Sequence, residues 1–141
     1  MTQRGPRVIF DCNILFQAFL TPRGPGHQCL QRIEDGKALL LLSPDIVAEV
    51  RDVLTRPFVH ARFPHVNPDD VELFLSRLRD TSEFWRVVPA SATRHCRDAG
   101  DQIYLDLAIA ARAEFLVTRD KDLLSLETDH SIRSPQRSSD R

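Results

Sequence analysis

Cysteine is scarce in this sequence. Cys12, Cys29 and Cys96 stand far apart, their number is odd, and no C-x-x-C pair occurs. That argues against a disulfide framework and against a structural zinc site, both of which need paired or closely spaced ligands. The five histidines do not replace them. His60 and His65 fall in a proline-broken stretch, and His95 is adjacent to Cys96, so those two side chains would point apart in any regular element. Lysine is reduced to Lys37 and Lys121, with arginine making up the rest of the basic set. Arginine suits bidentate phosphate contacts, although a coding bias toward arginine gives the same composition. A net charge of −1 excludes a protein that clamps nucleic acid by bulk electrostatics. No apolar run approaches the roughly 20 residues of a membrane span. The first residues lead into an apolar strand without the hydrophobic segment of a signal peptide, so a cytoplasmic location is expected. Aromatic residues are few as well. Phe16, Phe19 and Tyr104 are the candidates for stacking on a base, but such residues are more often core, and none is assigned to stacking.

What is present fits one globular domain. A chain of 141 residues, 42% of them hydrophobic, can bury a core of ordinary size. Val8-Ile9-Phe10 reads as a buried strand ending at Asp11. Residues 21 to 26, rich in Pro and Gly, read as a loop, and a helix is expected over about 27 to 35, with Gly36 after its end. The apolar run 38 to 42 is too short for a helix and reads as a second strand. Ser43-Pro44-Asp45 is a helix start, with a capping hydroxyl, a proline at the first helical position and an acid at the positive end. That helix carries Ile46, Val50, Val53 and Leu54 at helical spacing and stops at Arg56-Pro57. Residues 58 to 66 read as an irregular connection. Asn67-Pro68-Asp69-Asp70 repeats the capping logic before Val71, Phe74, Leu75 and Leu78. The run 85 to 89 reads as a third strand, Asp101 precedes a helix with Ile103, Leu107 and Ala111 on one stripe, and 114 to 118 reads as a fourth strand. A short helical segment is expected over 122 to 126.

Strands alternating with helices predict an α/β fold, a three-layer α/β/α sandwich around a parallel sheet of four to five strands. The domain is expected over 1 to 130, and the polar stretch 131 to 141 reads as a disordered tail.

In open parallel sheets, ligand sites form at the carboxyl ends of the strands near a switch in strand order. Asp11 follows the first strand and Asp120 follows the fourth. Glu49 lies one turn into the helix after the second, and Asp101 lies at the start of the helix before the fourth. Such a topology can gather four separated acids on one rim. Crowded carboxylates repel unless some protonate or a cation neutralises them. A ligand set of oxygens alone points to a hard ion, Mg²⁺ or Mn²⁺. Such ions lower the pKa of water, orient it and offset charge at a phosphorus centre, so hydrolysis of a phosphodiester is the reaction that fits. Each acid also has a local reading: Asp11 and Asp101 as caps, Glu49 as a solvated helix residue, Asp120 as a turn residue. Asn13, Thr118 and Asp122 are candidate supporting groups, able to hold an acid, a phosphate oxygen or an outer ligand. Asp98 reads as a cap.

Four segments resemble the PIN-domain family. They are Val8-Ile9-Phe10-Asp11-Cys12-Asn13, Leu42-Ser43-Pro44-Asp45-Ile46-Val47-Ala48-Glu49, Arg97-Asp98-Ala99-Gly100-Asp101-Gln102, and Val117-Thr118-Arg119-Asp120-Lys121-Asp122-Leu123-Leu124, the last being the most specific. The resemblance covers about residues 7 to 126. It implies that Asp11, Glu49, Asp101 and Asp120 bind metal and catalyse Mg²⁺- or Mn²⁺-dependent cleavage of RNA. The subgroup it most resembles is labelled as toxin components of toxin–antitoxin pairs. That implies an antitoxin protein as partner and a homodimer. Two departures stand out. Cys12 replaces the usual Thr or Ser, and Ser131-Ile132-Arg133-Ser134-Pro135 is only a trace of the family's closing strand.

Two other functions compete. An aspartyl-phosphate receiver or phosphatase needs a second acid beside the first, and the motif here is Asp11-Cys12-Asn13. A non-catalytic PIN-like module for binding RNA or an antitoxin is the stronger alternative, since fold does not guarantee activity.

Overall fold

The computed structural model describes residues 5–90 and 101–117. The elements run β1 (Arg7–Phe10), α1 (Cys12–Leu20), α2 (Pro25–Glu34), β2 (Leu39–Leu42), α3 (Pro44–Leu54), α4 (Pro57–Arg62), α5 (Pro68–Thr81), β3 (Glu83–Phe84), α6 (Gln102–Ala111) and β4 (Phe115–Val117). The four strands form one parallel sheet in the order β3-β2-β1-β4. Register is set by Val8 opposite Leu40 on one side and Phe115 on the other, and by Leu42 opposite Phe84. This is the parallel α/β architecture expected from the sequence. A strand covered on both faces should be apolar without alternation. Accordingly Ile9, Leu40 and Leu41 are wholly buried, and Leu42 and Val117 nearly so.

The helices follow from their caps and stripes. Ser43 Oγ accepts the Ile46 amide at 3.3 Å, and Asn67 and Asp70 exchange side-chain-to-backbone bonds in a capping box at 2.9 and 3.4 Å. Ile46, Val47, Val50 and Leu54 bury one side of α3. Helix α1 packs on α2 and α3, α3 also meets α5 and α6, and α6 lies on β2. No helix among the described residues is long and apolar enough to cross a membrane.

Three expectations are corrected. Residues 12–20 form a full helix, α1, that the sequence pattern did not disclose. The supposed irregular connection begins with a short helix, α4, whose first residue is Pro57. The third strand is Glu83–Phe84 rather than 85–89. The Trp85 amide still donates to Leu42 O at 2.8 Å, but Val87 is 80% exposed, so the apolar run 85–88 leaves the sheet.

One side chain ties three elements together. The Arg7 guanidinium pairs with both carboxylate oxygens of Glu83 at 3.1 and 2.8 Å and also donates to Ala111 O, the last carbonyl of α6. A cation on a helix C-terminus is the favourable sign there.

Candidate active site

Strand order reverses at β1, with β2 on one side and β4 on the other. In parallel sheets, ligand sites lie at the carboxyl ends of the strands beside such a reversal. Asp11 is the first residue beyond β1. Its amide donates to Val117 O at 3.1 Å, so residue 11 and the end of β4 are adjacent in space although far apart in sequence.

Asp11 is 4% exposed. Its Oδ1 accepts the Ile14 amide at 3.0 Å, so it caps α1. The capping role and the site role coincide here: the positive end of α1 holds an anion at the rim. Asp101 is also buried, at 8% exposed, and stands at the N-terminus of α6 without making a side-chain cap bond. Asn13 is exposed on the first turn of α1.

Glu49 is half-buried on α3, beside the buried Val50. Its Oε1 accepts a hydrogen bond from the Tyr104 hydroxyl. That hydroxyl in turn accepts the Cys12 amide at 3.0 Å. Cys12 is the first residue of α1, whose leading amides lack partners within the helix. A continuous hydrogen-bonded path thus runs from the start of α1, through α6, to the carboxylate on α3. Tyr104 is 2% exposed. Burial pushes its hydroxyl well above the ordinary tyrosine range, with Cys12, Glu49 and Asp11 adding to the effect, so it stays a proton donor. Burial likewise pushes the Cys12 thiol up to about 12, reinforced by the Glu49 and Asp11 charges. Both groups register Asp11 and Glu49 as negative neighbours.

The structure therefore brings Asp11 and Glu49 to one rim through Tyr104, with Asp101 one turn before Tyr104 at the start of the same helix. Among the described residues, no group of three or more Asp, Glu, His or Cys is drawn together tightly enough to hold a metal ion. Asp120, Thr118 and Asp122 lie outside the described residues, as do Asp98, His95, Cys96, the segment 122 to 126 and the tail. From the sequence, Tyr104 reads as a core residue or a candidate for base stacking, with no role under the site. Its position three residues after Asp101, on the stripe of α6 that faces the core, is the signal that places it under the site. Asp11, Asp101 and Glu49 each offer the oxygen donors that a hard cation takes. Cys12 and Cys29 are free thiols, as the absence of paired spacing implied.

Residues 7–122 match the family described as the PIN domain. An uncharacterised protein of Methanocaldococcus jannaschii is 25% identical over 124 residues, covering 88% of this chain and 77% of that one. The fold is similar to that in the crystal structure of VapBC2 from Rickettsia felis bound to a DNA fragment from their promoter. The TM-score is 0.59 at 13% identity, covering 91% of this chain and 96% of that chain. It is also similar to PAE2754 from Pyrobaculum aerophilum, with a TM-score of 0.58 at 16% identity and coverage of 99% and 95%.

Proposed function

The chain belongs to the PIN-domain family, and on that premise we propose that it is a metal-dependent endoribonuclease acting as the toxin of a toxin–antitoxin pair. The observation that carries the reading is the Cys12–Tyr104–Glu49 path beside Asp11 at the switch point of the sheet. Two acids remote in sequence are held on one rim, one of them buried at the positive end of a helix. Asp11, Glu49, Asp101 and Asp120 would hold Mg²⁺ or Mn²⁺. When bound, the ion supplies an activated water and positive charge at the scissile phosphodiester. The chain's own residues do the rest. Asp11 is fixed by its cap bond, Glu49 is fixed by Tyr104, and Asn13 is exposed where it can meet a phosphate oxygen. Thr118 and Asp122 would support Asp120. The RNA substrate, a cytoplasmic setting, a homodimer and an antitoxin are parts of the same proposal. The antitoxin would occlude the rim, with a basic side chain reaching the acids. The toxin role is supported by the subgroup resemblance of the four segments and is in keeping with the likeness to VapBC2.

The test is cleavage of a mixed RNA panel by the purified protein with Mn²⁺. Cleavage is expected to vanish with EDTA. Asp11→Asn, Glu49→Gln, Asp101→Asn and Asp120→Asn should each lose more than the roughly 10–100-fold typical of a residue behind a metal ligand. Full activity in the Asp11 and Asp120 variants would overturn the assignment. A folded protein that cleaves nothing would favour the non-catalytic binding module.

A further inference from the structure

We propose that Tyr104 is a positioning residue whose buried hydroxyl presets Glu49 for a cation, by donating to Oε1 while accepting the Cys12 amide. The inference rests on the metallonuclease reading and adds to it a residue that none of the four family segments contains.

The argument starts from hydrogen-bond arithmetic. A tyrosine hydroxyl has one proton to donate and lone pairs to accept. Here the lone pair is engaged by the first amide of α1, so the proton must point away from α1, and it points at Glu49. The direction of donation is thus decided by the backbone and not by chance rotation. The amide belongs to the positive end of a helix, which polarises the hydroxyl and makes it a better donor to a carboxylate. A bond to an ionised acceptor is the stronger kind. Glu49 has three rotatable bonds and sits half-exposed on α3, so without a partner it would sample several positions. The Tyr104 bond selects one. It engages Oε1, and the Cys12 thiol also contacts the same carboxylate.

Tyr104 is as buried as Leu105, Leu107 and Ala108 on the same helix, yet it carries a hydroxyl that bonds two other elements. A ring that only filled space could be phenylalanine. The hydroxyl would then be absent and the leading amide of α1 would lose its acceptor.

The experiment uses the full chain and two readouts. Mn²⁺ affinity is measured by calorimetric titration for wild type, Tyr104→Phe, Glu49→Gln and the double variant. Phenylalanine keeps the ring, so packing is retained. The expected result is an affinity about 10-fold weaker in Tyr104→Phe, in the range found when an outer partner of a metal ligand is removed. No further loss is expected when the change is added to Glu49→Gln, because the tyrosine acts through that residue. Affinity within about twofold of wild type, or an equal loss in both backgrounds, overturns the proposal while the nuclease reading stands. Wild type that neither binds Mn²⁺ nor cleaves RNA overturns both. The second readout does not need a variant to fold. Tyr104 is the sole tyrosine of the chain, so biosynthetic 3-fluorotyrosine gives one ¹⁹F resonance. That resonance is expected to move on Mg²⁺ titration, with a midpoint matching Mg²⁺ binding. A resonance that stays put at Mg²⁺ concentrations supporting cleavage overturns the proposal.

Discussion

Arg7 shows how much one side chain can organise. It closes the C-terminus of α6 and pairs with Glu83 on the edge strand, and the Trp85 indole N–H donates to the same carboxylate at 2.7 Å. The Arg7 guanidinium beside it holds the Glu83 carboxyl below its ordinary value of 4.5, against the opposing effect of burial. A group whose pKa is lowered by folding contributes stability above its unfolded-state value, and that contribution is lost as pH falls through the folded-state value. Both partners are about one-third exposed, so solvent screening reduces the pair to about 0.5 kcal/mol. Glu83→Gln is therefore expected to melt slightly below wild type at pH 7, and the gap should narrow as pH falls below the ordinary carboxyl value of 4.5, which thermal melts at a series of pH values would read out. Arg7→Ala should cost more, about 1–2 kcal/mol, because the Ala111 carbonyl also loses its donor. At this scale the sequence was informative wherever a residue's role is local. Asp11 was readable as a cap and Ser43 as a helix start. Arg7 was not, because its partners lie 76 and 104 positions away.

Elements were legible in proportion to the contrast between their faces. α3 and α5 begin at capping residues followed by proline and carry an apolar stripe against a polar face, so both were visible. α1 runs Cys-Asn-Ile-Leu-Phe-Gln-Ala-Phe-Leu, with apolar residues nearly all round, so no contrast between faces marks it as a helix. Only its contacts reveal it, since it is covered by β1, α2 and α3. The fit between α1 and α2 depends on Gly26. A Cβ there would lie 2.7 Å from Ile14 O and 2.9 Å from Ala18 N, both backbone atoms that cannot swing aside. Gly26→Ala is expected to destabilise by about 1–3 kcal/mol, as overpacking does, measured by urea unfolding. The opposite sign is expected at the end of α6. Arg112 holds a left-handed conformation, with φ of 56°, which disfavours any side chain. Arg112→Gly should relieve about 1 kcal/mol, seen as a raised melting temperature.

At the scale of the molecule, the site exists because of strand order. β1 and β4 are neighbours, so Asp11 meets the end of β4 across a gap of more than a hundred residues. Alternation of strands and helices suggested such a rim from the sequence, while the hydrogen-bonded path through Tyr104 needed three elements in place. The cost of such a rim is electrostatic. Asp11 and Asp101 are buried carboxylates that would be solvated in the unfolded chain, and a bound cation should offset the cost of burying their charge. An ion that binds only the folded state stabilises it by mass action, about 2.7 kcal/mol at a concentration 100 times its dissociation constant. For a domain of this size that is a rise in melting temperature on the order of 10 °C. Asp11→Asn separates this effect from local structure, because asparagine caps a helix as well as aspartate does. The variant should melt near wild type without metal and show little of the Mn²⁺-induced rise. If Asp11→Asn and Glu49→Gln both retain the full rise, the cation binds elsewhere, and the rim between β1 and β4 is not the metal centre.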